Sequence, residues 1–428
     1  MKKNGFTLVE ITVCVVLLVT IFLIVVPKVN TMINNKKKNA YNSLISTVKD
    51  AAQAYVYLNV NIVDDAIESQ GYYEVSIRTL QENELLENKL ENPLTGKNIP
   101  STSIVKIIKN NEEYIYKFSL DYQYLLEHII DLYSSEETRT SNGLKKDNTP
   151  DQNIRYYGSD PNNYVKFNNE LWRIIGVFGN NVKLVRKDSL GSLSWDSSES
   201  SVNNGWGINQ WGESTYEDGT SYPGSDLMQY LNKMYYGGTI VTCYGGRSNS
   251  TTTCPTNTLD ETSKNLIDKH TWNTGTIEWE KRTDTLAFYN AERGTKGKIC
   301  SSGNDCNDTV ERTTEWTGYI GLPCITDWAY ASSESICETN MQAQDSSNNN
   351  ICKNNNWMQR STFAWYLSPA ASGSLANRVW YVNGVGNAYN YYAASSYAVA
   401  PSIYLKSNVI IESGAGTSSS PYILKAGL

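Results

Sequence analysis

Cysteine is the residue type whose spacing in this chain most directly suggests chemistry. Seven of the eight cysteines lie beyond residue 240. Six of these form close pairs in the sequence: Cys243 and Cys254, Cys300 and Cys306, and Cys337 and Cys352. Thiols so close together in short, polar segments are typical of disulfides formed in an oxidising compartment. Zinc binding is less favoured, because neither a C-x-x-C motif nor a histidine accompanies them. We therefore predict three disulfides, with Cys14 and Cys324 left unpaired.

The composition of the chain gives little support for catalysis or for nucleic-acid binding. The two histidines, His128 and His270, are far apart in sequence, so no set of nucleophile, base and orienting residue can be assembled. We predict no enzymatic activity, no metal site and no cofactor. The net charge of −7 disfavours a nucleic-acid partner, since phosphate binding requires a basic surface. One group of carboxylates is expected on a solvated face rather than as a catalytic pair: Glu278, Glu280, Asp284 and Glu292.

A lone carboxylate, Glu10, lies near the start of an apolar run that extends from Phe6 to Val26. As a helix rising ~1.5 Å per residue, this run would reach about 31 Å, enough to cross the core of a bilayer. A charge at the centre of such a span costs on the order of 2.5–3.5 kcal/mol, so Glu10 requires a partner. Cleavage after Gly5 would create an amine on Phe6 that could pair with Glu10 of a neighbouring copy.

The stretch Gly5-Phe6-Thr7-Leu8-Val9-Glu10 resembles the processing motif of type IV prepilins and type II secretion pseudopilins. Pro27 lies where many of these proteins kink their N-terminal helix. The resemblance implies cleavage after Gly5 by a prepilin peptidase, methylation of the Phe6 amine, and assembly with other pilin subunits through the helix. It also implies a single-pass location in the cytoplasmic membrane before assembly, and then an extracellular filament. A signal peptide is disfavoured because residues 25–30 contain no small-x-small site, and a plain anchor has no use for Glu10.

The elements after the apolar run predict a small head. Apolar residues recur at helical spacing from Tyr41 to Tyr55, which indicates one buried stripe. Residues 104–108 and 114–118 read as two strands joined at Asn110-Asn111. A long helix packed on a small antiparallel sheet resembles a pilin head. We therefore expect a leader at 1–5, the helix and head at 6–127, a linker at 128–153 and a larger domain at 154–428.

The larger domain begins and ends in predicted strands. Residues 164–167, 171–178 and 182–185 open it, and 363–367, 378–382 and 397–405 close it. Between them lie a helix that Ser225 can cap and long loops that hold the cysteine pairs. Strands at both ends predict a disulfide-linked α+β domain whose termini meet.

Several motifs in this domain resemble an uncharacterised extracellular domain of bacterial surface proteins. They are Leu171–Gly176, Ser225–Asn232, Thr326–Ala331, Trp365–Pro369 and Val399–Lys406. That domain is similar to the C-type-lectin fold and its formylglycine-generating-enzyme branch, and the resemblance covers roughly residues 160–425. The enzymes of that branch use a reactive cysteine pair late in the domain. Here Cys337 and Cys352 lie in an Asn- and Ser-rich insert, which favours a disulfide. The Trp-Asn-Asp signature of the calcium-dependent lectins is absent.

A Tyr- and Asn-rich stretch, residues 382–397, is the candidate ligand-binding surface. In lectin-like folds this part of the chain commonly carries the binding face, and Tyr and Asn offer contact area with adaptable hydrogen bonding. The candidate residues are Asn383, Asn387, Tyr389, Asn390, Tyr391 and Tyr392. The alternative is that Tyr389, Tyr391 and Tyr397, which share one parity, pack on the domain's own sheet. That alternative is favoured and leaves Tyr392 as the best exposed candidate. Trp195, Trp206 and Trp211 are expected to fill the core rather than stack on sugars.

Three classes of function fit these observations. The first is a minor or tip pilin whose large domain binds an extracellular glycan or protein ligand, as an adhesin does. The second is a structural pseudopilin of a secretion or DNA-uptake machine, with the large domain as a cap. The third, a surface enzyme, is disfavoured by the lack of a catalytic set.

Overall fold

The structure is a computed structural model that describes the chain in eleven segments. They are residues 36, 39–93, 98–110, 113–118, 123–198, 205–215, 221–278, 284–294, 313–340, 351–371 and 377–427. The chain is mixed α and β with several sheets and divides between residues 122 and 123 into two compact units. Gly5, Phe6, Glu10, Cys14 and Pro27 lie outside the described residues. Within the described segments, no helix is both long enough and apolar enough to cross a membrane.

The first unit consists of helices on a three-stranded antiparallel sheet. Its helices are α1, which covers the described residues 39–58, Val60–Gln70 (α2) and Ile77–Glu82 (α3). Its strands are Tyr73–Ser76 (β1), Ile104–Asn110 (β2) and Glu113–Lys117 (β3), in the order β1-β2-β3. The predicted hairpin is present, with Asn110 opposite Glu113 at its end.

The core of the first unit follows the predicted apolar stripe. Val48 and Ala52 on α1 are fully buried and belong to the same apolar cluster as Val75, Val105 and Ile107 of the sheet. Burying an aliphatic side chain of this kind contributes roughly 1.5–3 kcal/mol, which is enough to select this face of the helix. The spacing of the stripe therefore determines how α1 lies on its sheet.

The second unit, residues 123–427, contains eight short helices among its described residues. They are Leu125–Ser134 (α4), Glu136–Ser141 (α5), Asp226–Gln229 (α6), Glu261–Lys264 (α7), Thr285–Glu292 (α8), Ile325–Tyr330 (α9), Ser335–Thr339 (α10) and Ile351–Asn354 (α11). The Ser225 side chain accepts a hydrogen bond from the Met228 amide, which is the predicted N-cap of α6. A π-helical segment, Tyr230–Tyr236, continues α6.

Two sheets form the body of the second unit. The larger contains Gln123–Tyr124 (β4), Leu144–Lys146 (β5), Ile154–Tyr156 (β6), Tyr164–Phe167 (β7), Glu170–Phe178 (β8), Asn181–Arg186 (β9), Ile320–Gly321 (β18), Ser402–Leu405 (β23), Val409–Ser413 (β24) and Tyr422–Ala426 (β25). Its main order is β18-β23-β9-β8-β7-β25-β24-β4. Because β25 pairs with β7, the last strand of the unit lies beside one of its first strands. The predicted meeting of the two ends of this domain is therefore present.

The smaller sheet carries the candidate stretch. It contains Ser192–Ser194 (β10), Ile277–Glu278 (β16), Ala364–Ala371 (β19), Arg378–Val382 (β20), Ala388–Tyr392 (β21) and Ser396–Ala398 (β22), in the main order β10-β22-β19-β20-β21. Three two-stranded ribbons complete the unit: Ser214–Thr215 with Ser221–Tyr222 (β11, β12), Cys243–Gly246 with Ser250–Thr252 (β13, β14), and His270–Asn273 with Glu315–Gly318 (β15, β17). One apolar core joins the two sheets.

The segment expected to be a linker is folded. Residues 128–153 contribute most of α4, all of α5 and strand β5, and they belong to the second unit. Ile129 and Leu144 are buried in its core, together with Asp147. Residues 134–153 looked like a linker because their buried anchors include polar side chains, which give no apolar periodicity. The second unit therefore begins about thirty residues earlier than the sequence indicated, at 123 instead of 154.

Two of the predicted cysteine pairs are disulfides in the structure. Cys243–Cys254 closes the segment around the β13–β14 ribbon, and Cys337–Cys352 joins α10 to α11. Cys300 and Cys306 lie outside the described residues. Cys324 is a free, buried thiol, and burial raises its pKa to about 12.

Candidate functional site

The β20–β21 hairpin places tyrosines on one side of the smaller sheet. Tyr381 lies opposite Tyr389, and Val379 lies opposite Tyr391, so these residues share a side. The other side carries Trp380 and Asn390, which are buried. Alternation along the two strands therefore separates a tyrosine side, on which Val379 is also buried, from a core side.

Phe363 and β22 extend this surface, which we call the tyrosine face and define as Phe363, Tyr381, Tyr389, Tyr391 and Tyr397. The Tyr381 and Tyr397 ring centroids are 4.9 Å apart. Phe363 lies 5.6 Å from Tyr381 and 5.4 Å from Tyr397. Tyr391 is 41% exposed and Phe363 is 48% exposed, while the other three rings are partly buried. Aromatic pairs at these separations stabilise one another, so the surface is pre-ordered.

The phenol groups of Tyr381 and Tyr397 remain protonated at neutral pH. Burial raises the pKa of Tyr397, and the neighbouring Tyr381 and Tyr391 add to the shift. Burial also raises the pKa of Tyr381. Each phenol can therefore both donate and accept a hydrogen bond, beside a ring that offers apolar contact.

The candidate asparagines support the hairpin instead of facing outward. Asn387 and Asn390 are buried. The Asn383 side-chain oxygen accepts hydrogen bonds from the Val385 and Asn387 amides, which shapes the turn between β20 and β21. These contacts correct the expectation that all three asparagines are free for ligand contact.

The parity argument for tyrosine exposure also requires correction. Tyr391 is exposed, whereas Tyr392 is partly buried and stacks on Trp206 at 4.3 Å. The Arg378 guanidinium lies over the Tyr392 ring at 4.6 Å. The core side holds the small Ala388, which is paired with Val382, and the bulky Trp380 lies on the same side. Small residues alternating with tyrosines were the signal that could have identified the outer side.

Three tryptophans were expected to fill the core, and two of them do. Trp195 and Trp211 are buried and lie 4.8 Å apart. Trp206 is partly buried under Tyr392.

The carboxylates that were expected on one solvated face differ in their exposure to solvent. Glu292 is fully buried, where its oxygens accept hydrogen bonds from Thr326 and Ser368. Burial raises the pKa of Glu292 to about 7. Asp284 is exposed and caps α8, as a solvated residue can. Glu280 and the Glu278 side chain lie outside the described residues.

A buried ionic network is the main polar feature that sequence reasoning missed. Arg155 donates to Asp147 at 2.6 Å and to Asp327 at 2.8 Å, and Lys183 donates to Asp327 at 2.6 Å. Burial opposes ionisation of Asp327, but the charges of Lys183 and Arg155 keep its pKa below the ordinary value. Two cations and two carboxylates balance one another, and all four are buried. The network therefore holds α9 against the larger sheet and is closed to ligands.

Metal binding receives no support from the part of the chain that the structure describes. No group of three or more His, Cys, Asp or Glu side chains there could hold a metal ion.

Comparisons of the chain with models of protein families, with curated proteins and with solved structures found no match. Function is therefore inferred from the residues and their geometry.

Proposed function

We propose that this chain is a filament subunit of the type IV pilin class whose second unit binds an extracellular ligand through the tyrosine face. The proposal for assembly is supported by the motif from Gly5 to Glu10 and by a first unit in which α1 packs on a small antiparallel sheet. The second unit is proposed to be C-type-lectin-like. Its mixed sheets, its adjacent first and last strands and its disulfides support that assignment.

The single observation that carries ligand binding is the exposure of clustered aromatic rings on the smaller sheet. Folding favours burial of aromatic side chains, yet Tyr391 and Phe363 remain about half exposed beside three further rings. Contiguous apolar surface of this kind on a soluble unit marks an interaction site. Tyrosine adds hydrogen bonding and loses little conformational entropy on binding.

The first test compares two exposed tyrosines in the full chain. Tyr391→Ala should weaken binding to a glycan or matrix-protein array at least about tenfold, since aromatic anchors dominate such interfaces. Tyr57→Ala is the matched control, because Tyr57 is 83% exposed but lies in the first unit. Both variants should keep native stability within about 0.5–1 kcal/mol, as surface positions do.

An unchanged array profile for Tyr391→Ala would contradict the role of the tyrosine face. Equal loss of binding in both variants would point to a general effect on the protein instead.

A further inference from the structure

A polar cavity of about 460 Å³ lies in the second unit beside strands β8, β9 and β19. Arg173 and Arg186 line it from the two neighbouring strands, and Tyr366 lines it from β19. The segment from Trp357 to Thr362 closes another side. Cavities of this size accept small organic ligands.

Positive charge predominates in this cavity. Its lining includes four cations, Arg173, Arg186, Lys187 and Arg360, and one carboxylate, Asp188. Three of the cations form ion pairs: Arg186 with Glu170 at 2.7 Å, Arg173 with Asp160 at 3.0 Å and Lys187 with Asp188 at 3.5 Å.

Arg360 differs from the other three cations. Its guanidinium donates to the backbone carbonyls of Lys187 at 2.7 Å and Arg186 at 2.8 Å, which fixes it in the cavity wall. Among the described residues, no carboxylate forms an ion pair with it. Burial lowers the pKa of Arg360, and the charge of Arg186 adds to the shift, although Tyr366 and Asp188 oppose it. The Arg360 side chain is only partly buried, and a bound anion would supply an ion-pair partner for its charge.

The cavity adjoins the tyrosine face along the chain at two points. Thr362 lines the cavity and Phe363 belongs to the face; Ala398 lines the cavity and Tyr397 belongs to the face. The Gln359 side chain, also in the cavity lining, donates to the Asn383 carbonyl at the turn of the β20–β21 hairpin. Because Tyr397 and Ala398 are consecutive residues of β22, their side chains lie on opposite sides of the sheet. A ligand that contacts both surfaces must therefore be long enough to pass around this end of the sheet.

We propose that the cavity binds a carboxylate group, and that the ligand of the tyrosine face is an acidic glycan of the uronic-acid type. Arg360 is the one cation of the lining that forms no ion pair among the described residues, which matches a monoanion. A planar guanidinium also pairs well with a planar carboxylate. The aromatic rings of the tyrosine face suit the flat apolar faces of sugar rings. This inference rests on the proposed ligand-binding role of the second unit.

The experiment titrates the purified full chain with tetragalacturonate and with its fully methyl-esterified form. The two probes have the same rings, but the ester carries no charge. The acid should bind at least about tenfold more tightly, as expected for hydrogen bonds to a charged group. Inorganic phosphate is the third probe, and at matched concentration it should not displace the acid.

Variants at the cavity mouth test the location without endangering the fold. Lys187 and Asp188 have side chains that are 41% and 74% exposed. Lys187→Gln should weaken binding of the acid about two- to fivefold, and Asp188→Asn should tighten it by a similar factor, as for exposed charges. Neither change should affect binding of the ester.

Arg360→Ala should abolish the preference for the acid, and Arg360→Lys should restore part of it.

The outcomes separate this inference from the proposed function. If acid and ester bind equally and Tyr391→Ala weakens both, the cavity inference fails but the tyrosine face still binds ligand. Displacement by inorganic phosphate would overturn the carboxylate assignment. An acid preference that neither Lys187→Gln nor Asp188→Asn changes would place the charge recognition elsewhere. Failure of both probes to bind would overturn the acidic-glycan class, while the array test still decides whether the face binds another ligand.

Discussion

Glu292 is the residue whose protonation couples most directly to stability of the second unit. Its carboxyl group is fully buried, and Arg293 is the nearest cation at 3.6 Å. Burial raises its pKa to about 7 from an ordinary value of 4.5. The folded state therefore binds the proton more tightly than the unfolded state, and stability falls as the pH rises from about 4.5 to about 7.

Glu292→Gln should remove that loss, because the amide is uncharged at every pH. We compare the free energy of unfolding of the variant with that of the native protein at two pH values. The difference, variant minus native, should be larger at pH 8 than at pH 4.5 by up to about 3 kcal/mol. All eleven tryptophans lie beyond residue 170, so tryptophan fluorescence in denaturant follows the second unit.

The comparison of variant with native protein isolates Glu292 from other titrating groups. Burial and the neighbouring Asp196 raise the pKa of Asp226 to about 7, and burial lowers the pKa of His270. Both residues are present in both proteins. The exposed Glu261→Gln is the control and should change stability by less than about 0.5 kcal/mol at either pH. A native–variant difference that does not grow between pH 4.5 and 8 would contradict the assigned charge state.

Single residues were predictable where their local context decides their environment. Trp195 and Trp211 follow the general preference of large aromatics for the core. The burial of Glu292 and Asp327 could not be predicted, because their partners Thr326, Ser368 and Lys183 come from distant parts of the chain. Spacing along a sequence cannot reveal a buried carboxylate whose donors arrive only through the fold.

At the scale of elements, the Cys337–Cys352 disulfide links two short helices, α10 and α11. Helices of four or five residues are unstable alone, since nucleation is unfavourable. The double variant Cys337→Ser, Cys352→Ser should therefore lose about 3 kcal/mol, as expected for a disulfide that closes a loop of about 15 residues. Denaturant unfolding followed by tryptophan fluorescence measures this loss.

Peptide mapping without reductant provides the check on connectivity. It should recover Cys243 joined to Cys254 and Cys337 joined to Cys352, with Cys324 reactive toward alkylating reagents only after unfolding. A disulfide that includes Cys324 in the native protein would contradict the structure.

Elements with strong local signals could be predicted, and those formed by long-range pairing could not. The β2–β3 hairpin, the bounds of β20 and the Ser225 cap follow from strand alternation and capping chemistry. The predicted final strand, 397–405, is divided into β22 and β23 around Pro401, which cannot donate a hydrogen bond to a ladder. Helix α5 was missed because residues 134–153 are mostly polar. Helix α4 was overlooked although Leu125, Leu126 and Ile129 recur at helical spacing and are buried.

At the scale of the whole molecule, the proposed account assigns different tasks to the two units. The first unit would support assembly, and the second would present the tyrosine face and its neighbouring cavity. The candidate site was located by sequence only as a stretch, because which tyrosines face outward depends on Trp380 filling the inner side of the hairpin. Its basic cavity could not be predicted, since Arg173, Arg186 and Arg360 are brought together by strand pairing and backbone contacts.

The central claim, that this chain is processed and assembled as a pilin, is tested most directly by its mature N-terminus. Filaments sheared from the producing cells should yield, by mass spectrometry, a peptide that begins with N-methylated Phe6. Gly5→Val should leave the chain uncut and absent from that fraction, because the motif would lose the residue at its cleavage position. A filament-associated chain that still begins at Met1, or one cut at a different position, would contradict the account.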